Sequence, residues 1–369
     1  MSSKAQQIVI VSSEFPPQPG GIGNHAYQLA KALSYKGYKV TVVTDERSDS
    51  GSAEKIFDKN LPFTVCRIRK RTPRMFMYVE RFVSIFRALK SADKVIASGK
   101  FSLWVVAFCT IFRKRFSMAV IHGTEVNLPS GAFRNLVELS LKRFNVIVAV
   151  SNYTKQLISY LNLKVSVIPN GITLDDWQDK VLISEENKLF SYPKLITVGR
   201  VSERKGQMEV VKLLPELLKQ FPKLHYHCIG INDEITSVMA LAKHLGVEKH
   251  VSFHGVLGNH ILKNYLVQSD IFIMLSKPAS NGDVEGFGIA ILEANAMGVP
   301  AIGAFGSGVE EAIEVGQSGI LIPLRDGEAL TTAIRDILNN KEQYKQGAIS
   351  WAEAHNWSII IKQYIALLS

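Results

Sequence analysis

Cysteine is scarce in this 369-residue chain, with three in all: Cys66, Cys109 and Cys228. They stand far apart in apolar runs and no Cys-x-x-Cys occurs, so their spacing makes neither a disulfide framework nor a metal or redox motif. The expectation is three buried free thiols in a reducing compartment. Long hydrophobic runs are missing as well. The most apolar window runs from Phe101 to Phe112, well short of the roughly 20 residues that span a bilayer. The opening MSSKAQQIVIVSSEF lacks the charged, apolar and small-residue order of a signal peptide. Both absences predict a cytoplasmic protein without transmembrane helices. No segment is low in complexity and no period repeats. The histidines, among them His225, His227, His250, His254 and His260, show no metal-ligand spacing, so no metal site is expected.

What is present is globular: 47% hydrophobic and 21% charged residues, in a chain long enough for two cores. The net charge of +10 is unevenly spread. Residues 1–175 carry 25 Lys/Arg against 11 Asp/Glu, and residues 176–369 carry 18 against 22. One basic half suggests an anionic partner: a membrane surface, a phosphorylated acceptor or nucleic acid.

The pattern opens as βαβ. A strand at Gln7–Ser12 leads to a long loop, a helix from about Asn24 to Lys36, and a strand at Val40–Thr44. Unbroken apolar strands separated by helices imply a parallel sheet covered on both faces. Further strands are predicted at Lys94–Ala97, Ala119–His122, Val146–Val150 and Val165–Ile168. A second α/β series starts at Lys194 and runs to a last strand near Gly319–Ile322. The polar stretch Asp175–Tyr192 is the predicted linker, and Trp357–Leu368 a terminal amphipathic helix. Two such domains in tandem would leave a cleft facing the carboxyl ends of both sheets, where ligands of doubly wound folds bind.

Four loops at those ends carry residues suited to chemistry. The first ends in Gly20-Gly21-Ile22-Gly23 and opens a helix, where bare amides and the helix terminus suit an anion. Gly21-x-Gly23-x-x-Ala26 also matches a dinucleotide fingerprint, with Asp45 where a ribose-binding acid would stand. Against that, a Pro-rich stretch from Ser12 to Pro19 separates strand from glycine, where the fingerprint needs a tight turn. The second loop, Gly199 to Gly206, sets the cations Arg200 and Lys205 beside a helix start, an arrangement suited to a diphosphate. In the third, Glu285-Gly-Phe-Gly-Ile-Ala-Ile-Leu-Glu293, the amides of Phe287 to Ala290 open a helix. Glu293 sits among apolar neighbours and needs a partner such as a vicinal diol, unless it is a helix-surface charge. Glu285 lies before the helix, nearer a reacting end. The fourth loop places His122 at a strand end.

Together these loops, with Pro169-Asn170-Gly171-Ile172, His254-Gly255-Val256 and the Trp357…Tyr364 helix, resemble the retaining GT-B glycosyltransferases of family 4 (glycosyl transferases group 1) along the whole chain. The resemblance implies an α/β fold of GT-B architecture, two Rossmann-like doubly wound domains facing across a cleft. It assigns residues 1–175 plus the helix 357–369 to acceptor binding and 190–356 to the nucleotide sugar. It implies that Arg200 and Lys205 neutralise a donor diphosphate, aided by Gly199 and by amides of Phe287, Gly288, Ile289 and Ala290. Glu293 would hold the ribose, Glu285 the sugar hydroxyls, and the backbone at Val256 the base. Gly20 and Gly21 would approach the phosphate, and His122 the reacting centre. No metal or other cofactor is implied; the nucleotide sugar, a UDP- or GDP-sugar, is a substrate. One departure is the segment Pro278–Val284, longer and more polar than the family's serine-rich approach to Glu285.

The basic half adds Arg67, Arg69, Lys70, Arg71 and Arg74, followed by Met75, Phe76, Met77, Tyr78 and Val79, and a second run Arg113-Lys114-Arg115. Basic plus aromatic surface suits an enzyme peripheral on the inner face of the cell membrane, acting on a lipid-linked sugar in bacterial envelope polysaccharide synthesis. The alternative for Met75–Val79 is burial in the core. Three other functions fit parts of the sequence: a nucleotide-sugar epimerase of the same fold, an NAD(P)-dependent oxidoreductase that leaves Arg200, Lys205 and both glutamates unused, and a nucleic-acid binder without a known motif.

Overall fold

The computed structural model describes residues 5–48, 50–70, 72–129, 131–177 and 189–369. Arg71 and most of the predicted linker, at residues 178–188, lie outside the described residues; Leu174–Asp176 forms a 3-10 turn. The chain makes two compact units, one of Met1–Gly171 with Trp357–Ser369, the other of Ile172–Asn356.

Among the described residues the first unit is built on seven strands: β1 (Gln7–Ser12), β2 (Lys39–Asp45), β3 (Thr64–Ile68), β4 (Lys94–Ser98), β5 (Phe116–Ile121), β6 (Val146–Ala149) and β7 (Val165–Val167). All pairs are parallel, in the order β3-β2-β1-β4-β5-β6-β7. The central strands are Val, Ile and Ala runs buried on both faces, as crossover helices require. One face holds Val9, Val11, Val95, Ala97, Ala119 and Ile121 against Leu103, Val106 and Leu141. On the other, Ile8 and Ile10 are buried, as are Leu29 and Leu33 of the helix Gly21–Tyr35.

Three expectations are corrected here. The first helix begins at Gly21, not Asn24, because Gly20 serves as its N-cap. Strand β3 is additional to the strands that the sequence pattern predicts. Being an edge strand, it leaves Cys66 exposed, whereas Cys109 and Cys228 are buried.

The second unit repeats the plan with β8 (Lys194–Val198), β9 (His225–Ile229), β10 (Val251–Phe253), β11 (Ile271–Met274), β12 (Ala301–Ala304) and β13 (Gly319–Ile322). These strands too are parallel, in the order β10-β9-β8-β11-β12-β13. Its core packs Leu195, Val210, Leu214, Tyr226, Ile273 and Ile302 with Leu330 and Ile334. The helices Gly327–Asn339 and Lys341–Ala354 complete it.

Each sheet reverses its winding once, between β1 and β4 and between β8 and β11. Loops leaving the two strands at such a point diverge and open a crevice at their carboxyl ends. At the second, the turn before the helix Gln207–Gln220 comes so close to the end of β11 that only glycine fits. Gly206 has φ +77°, and a Cβ there would stand 1.9 Å from the carbonyl oxygen of Leu275.

Candidate functional site

In the second unit, the loop after β8 and the loop after β11 meet at the switch point and are joined by charge. Lys205 Nζ lies 2.7 Å from Glu285 Oε2, with both side chains nearly buried. Arg204 donates to the same carboxylate from Nη1 and from Nε to Asp283 Oδ2 at 2.9 Å. The backbone is stitched too: Ser276 Oγ donates to the Arg204 carbonyl, as does the Lys277 amide at 3.2 Å. The polar segment that set this sequence apart is held by the same loop, since the Ser280 amide and hydroxyl both donate to Glu203 Oε2 at 3.0 Å.

Burial acts to raise the Glu285 carboxyl, and Arg204 with Lys205 outweighs it, holding the group below the ordinary carboxylate range. Burial lowers the Lys205 ammonium, with Glu285 only partly opposing. Glu293, on the helix Ile289–Ala296, makes no hydrogen bond among the described residues and is partly buried. Desolvation pushes its carboxyl up to about 7, against a weaker pull from Lys205. An acid that titrates near pH 7 and has no side-chain hydrogen bond among the described residues is suited to receive hydroxyl groups from a ligand.

No side chain caps that helix at Gly288, which has φ +97°. The Gly288 amide bonds to Glu285, so part of the expected amide cradle is occupied within the protein. Ile289 and Ala290 are partly exposed. The Phe287 side chain is buried against His355, with ring centroids 6.1 Å apart. Gly199 leaves room for the Lys205 stem, which its own Cβ would meet at 3.1 Å.

Arg200 is not in this cluster. Its Nη1 pairs with Asp233, and both side chains are close to half exposed. Val256 is exposed after β10, two strands from β8. Sequence reasoning passed over Arg204; the signal available was a third cation in the same loop, next to Lys205.

In the first unit, the loops after β1, β4 and β5 converge. His122 Nε2 and Ser98 Oγ are 2.9 Å apart, and the His122 amide donates to Glu125 Oε1. Its ring meets that of His25 edge-on, with centroids 4.9 Å apart. Burial lowers His122 to about 3, so the ring is neutral. His25, which the sequence did not single out, is fully enclosed by His122, Trp357 and Tyr364. Gly20 and Gly21 differ in kind. A Cβ on Gly20 would stand 2.4 Å from Glu14 Oε2, whereas one on Gly21 would meet nothing within 4 Å.

Two sequence candidates are engaged elsewhere. Asp45, the dinucleotide-type acid, takes a two-pronged bond from Arg81, whose guanidinium lies over Phe101 at 4.2 Å. That pairing uses the carboxylate oxygens a ribose would need. Arg67 pairs with Asp58 at 2.7 Å and donates to the Pro16 carbonyl at 2.6 Å, so it belongs to the packing and not to a basic surface. Among the described residues no group of three His, Cys, Asp or Glu could hold a metal ion. No helix among them is long and apolar enough to cross a membrane.

The family described as Glycosyltransferase Family 4 matches residues 19–176, and that described as Glycosyl transferases group 1 matches residues 179–349. The chain belongs to the GT-B glycosyltransferases of this group 1, family 4 type. It is similar to the GDP-mannose-dependent alpha-(1-6)-phosphatidylinositol monomannoside mannosyltransferase of Mycolicibacterium smegmatis, 24% identical over 366 residues that cover 95% of this chain and 94% of that protein. A putative colanic acid biosynthesis glycosyltransferase, WcaL of Escherichia coli, is 31% identical over 137 residues, 37% of this chain and 34% of that one. Among solved structures, Anabaena Alr3699/HepE in complex with UDP and glucose superposes with a TM-score of 0.78 at 17% identity, covering 98% of this chain and 99% of that one.

Proposed function

We propose that the chain transfers a hexose from a UDP- or GDP-sugar to a lipid-linked acceptor, with the anomeric configuration retained. The observation that carries the donor half is the joined loops at the β8/β11 switch point. They set a nearly buried cation, Lys205, beside the start of the helix Ile289–Ala296 and an acid, Glu293, whose side chain makes no hydrogen bond among the described residues. Lys205 and the amides of Ile289 and Ala290 take the diphosphate, Glu293 the ribose and Glu285 the sugar hydroxyls. Arg200 reaches the phosphates by leaving Asp233, an exchange made cheap by their exposure. Gly199 shapes the loop, and within the first unit Gly21 has open space around it and His122 carries a neutral ring. The base lies along the backbone at Val256.

In the transfer step the bond from C1 to the diphosphate oxygen breaks and a bond from C1 to the acceptor oxygen forms on the same face. The acceptor's proton passes to the departing phosphate. Negative charge grows on that phosphate, where fixed cations and helix amides stabilise it without reorganising. No metal cofactor enters this reading.

The acceptor half rests on a surface of the first unit. Met75, Phe76 and Val79, on the helix Arg74–Ala88, are more than half exposed, as are Phe112, Phe133 and Leu139 on the neighbouring helices Lys100–Phe112 and Ala132–Leu141. With Lys100, Lys114 and Lys142 nearby in sequence, this face suits an anionic membrane. Relatives named for phosphatidylinositol mannosides and colanic acid favour a lipid-linked acceptor in envelope synthesis.

The test is a thermal-shift panel of UDP-, GDP- and ADP-sugars, followed by measurement of nucleoside diphosphate released with and without a lipid extract. Stabilisation by one nucleotide class and acceptor-dependent release are expected; no stabilisation by any of them refutes the donor assignment. Sedimentation with phosphatidylglycerol vesicles at low and moderate salt checks the membrane face, and absence of binding at both overturns it.

A further inference from the structure

Glu285 is held by two cations with different commitments. Lys205 has three N–H groups and spends one on Glu285; Met274 Sδ lies 4.0 Å from Nζ. It can turn toward a ligand. Arg204 cannot do so cheaply. Its side chain is tied to Asp283 as well as Glu285, and its carbonyl is held by Ser276 and Lys277. A carboxylate as enclosed as Glu285 loses much of its reason to stay ionised when its cations leave, with the Gly288 amide alone remaining.

We propose that Arg204 is a positioning residue that keeps Glu285 ionised and aimed when the diphosphate of the donor draws Lys205 away. This rests on the donor reading given above. The two adjacent basic residues then divide the work: Lys205 serves the ligand and Arg204 serves the acid. The groups that face Glu285 fit this division. They are Arg204, Lys205 and the Gly288 amide, with Asp283 reached through Arg204 and Glu293 through Lys205. Of these, only Arg204 supplies positive charge that is fixed to the protein at both ends.

The experiment follows the Glu285 carboxyl by carbon NMR in protein labelled at glutamate side chains, with Glu285→Gln assigning the signal. Lys205→Met imitates a lysine drawn away and needs no ligand. In Lys205→Met the carboxyl is expected to remain ionised to within about one pH unit of the wild-type titration. In Lys205→Met/Arg204→Met its titration is expected to rise by well over one unit. Lys205→Met/Arg204→Lys should restore most of the difference, while Asp283→Asn should leave the wild-type titration nearly in place. With UDP or GDP bound, Arg204→Met alone should show the same rise. A titration in the double Met variant that equals that of Lys205→Met overturns the proposal. So does an Arg204→Lys variant that behaves as Arg204→Met in a folded protein. Failure of UDP and GDP to bind the wild-type chain refutes the donor reading instead, and the ligand-free series still decides the role of Arg204.

Discussion

The hydroxyl of Tyr364 lies 2.9 Å from Nε2 of His25, across 339 positions of sequence, and both groups are buried. Burial, and then the neighbouring His122, hold His25 well below its ordinary value. The ring is therefore neutral, and the phenol is a hydrogen-bond partner for one of its nitrogens. Tyr364→Phe leaves that nitrogen enclosed without a partner, which costs about 1–3 kcal/mol. Urea unfolding of the full chain should show the loss in the transition of the first unit. An unchanged midpoint would mean the bond contributes nothing.

The same depression sets a pH dependence. A histidine whose folded value is lowered favours folding fully above its unfolded value, and that contribution is lost as pH falls. His25 and His122 both behave this way, the latter down to about 3. Stability should therefore decline as pH drops below about 6.5, the ordinary histidine value. His122→Gln should flatten part of that decline in thermal melts between pH 7 and 4.

Glu293 has the opposite sign. Its folded value is raised to about 7, so its contribution is complete below the unfolded carboxyl value and is lost as pH rises through 7. Glu293→Gln should gain up to about 3 kcal/mol at pH 8 and nothing at pH 4. If the ionised acid receives the ribose hydroxyls, nucleotide binding near pH 7 releases protons. Calorimetry in buffers of different ionisation enthalpy reads this directly, and equal heats in all of them would remove Glu293 from the nucleotide site.

Lys205→Ala should lower turnover by on the order of 100-fold, the loss of one preorganised donor to the charge that develops on the leaving phosphate. Near-normal turnover in this variant would sink the diphosphate assignment.

Glycine substitutions separate packing from ligand space. Gly206→Ala forces a Cβ into the Leu275 carbonyl at positive φ and should destabilise the second unit by more than about 2 kcal/mol. Gly21→Ala has open space around it and should keep the melting temperature of the wild type. Under the proposed function it should lower the rate of sugar transfer, a split that melting curves and activity assays resolve.

The doubly wound plan was legible because each of the central strands is an unbroken apolar run, and because glycines mark the turns that follow them. The Glu285–Glu293 segment was legible for the same reason. What the sequence hid were pairings made by the fold. Arg81 closes over Asp45 from the helix Arg74–Ala88, and Tyr364 reaches His25 from 339 positions further along the chain. The choice between Arg200 and Arg204 was equally hidden, since two arginines in one loop look alike until one is seen bonded to Glu285. Strand β3 was obscured by the basic residues at its end. Arg67 is absorbed by Asp58, a partner nine positions away that local pattern does not reveal.

Because Trp357–Ser369 belongs to the first unit, that unit is completed last during synthesis. The ribosome must deliver all of residues 172–356, a unit with its own core, before Tyr364 can reach His25. Until then the first sheet waits with its closing helix unmade and the His25 imidazole without the rings that enclose it. A nascent chain would thus present the first unit unclosed for as long as the second is being made, and chaperone contact during translation should concentrate on residues made at the start.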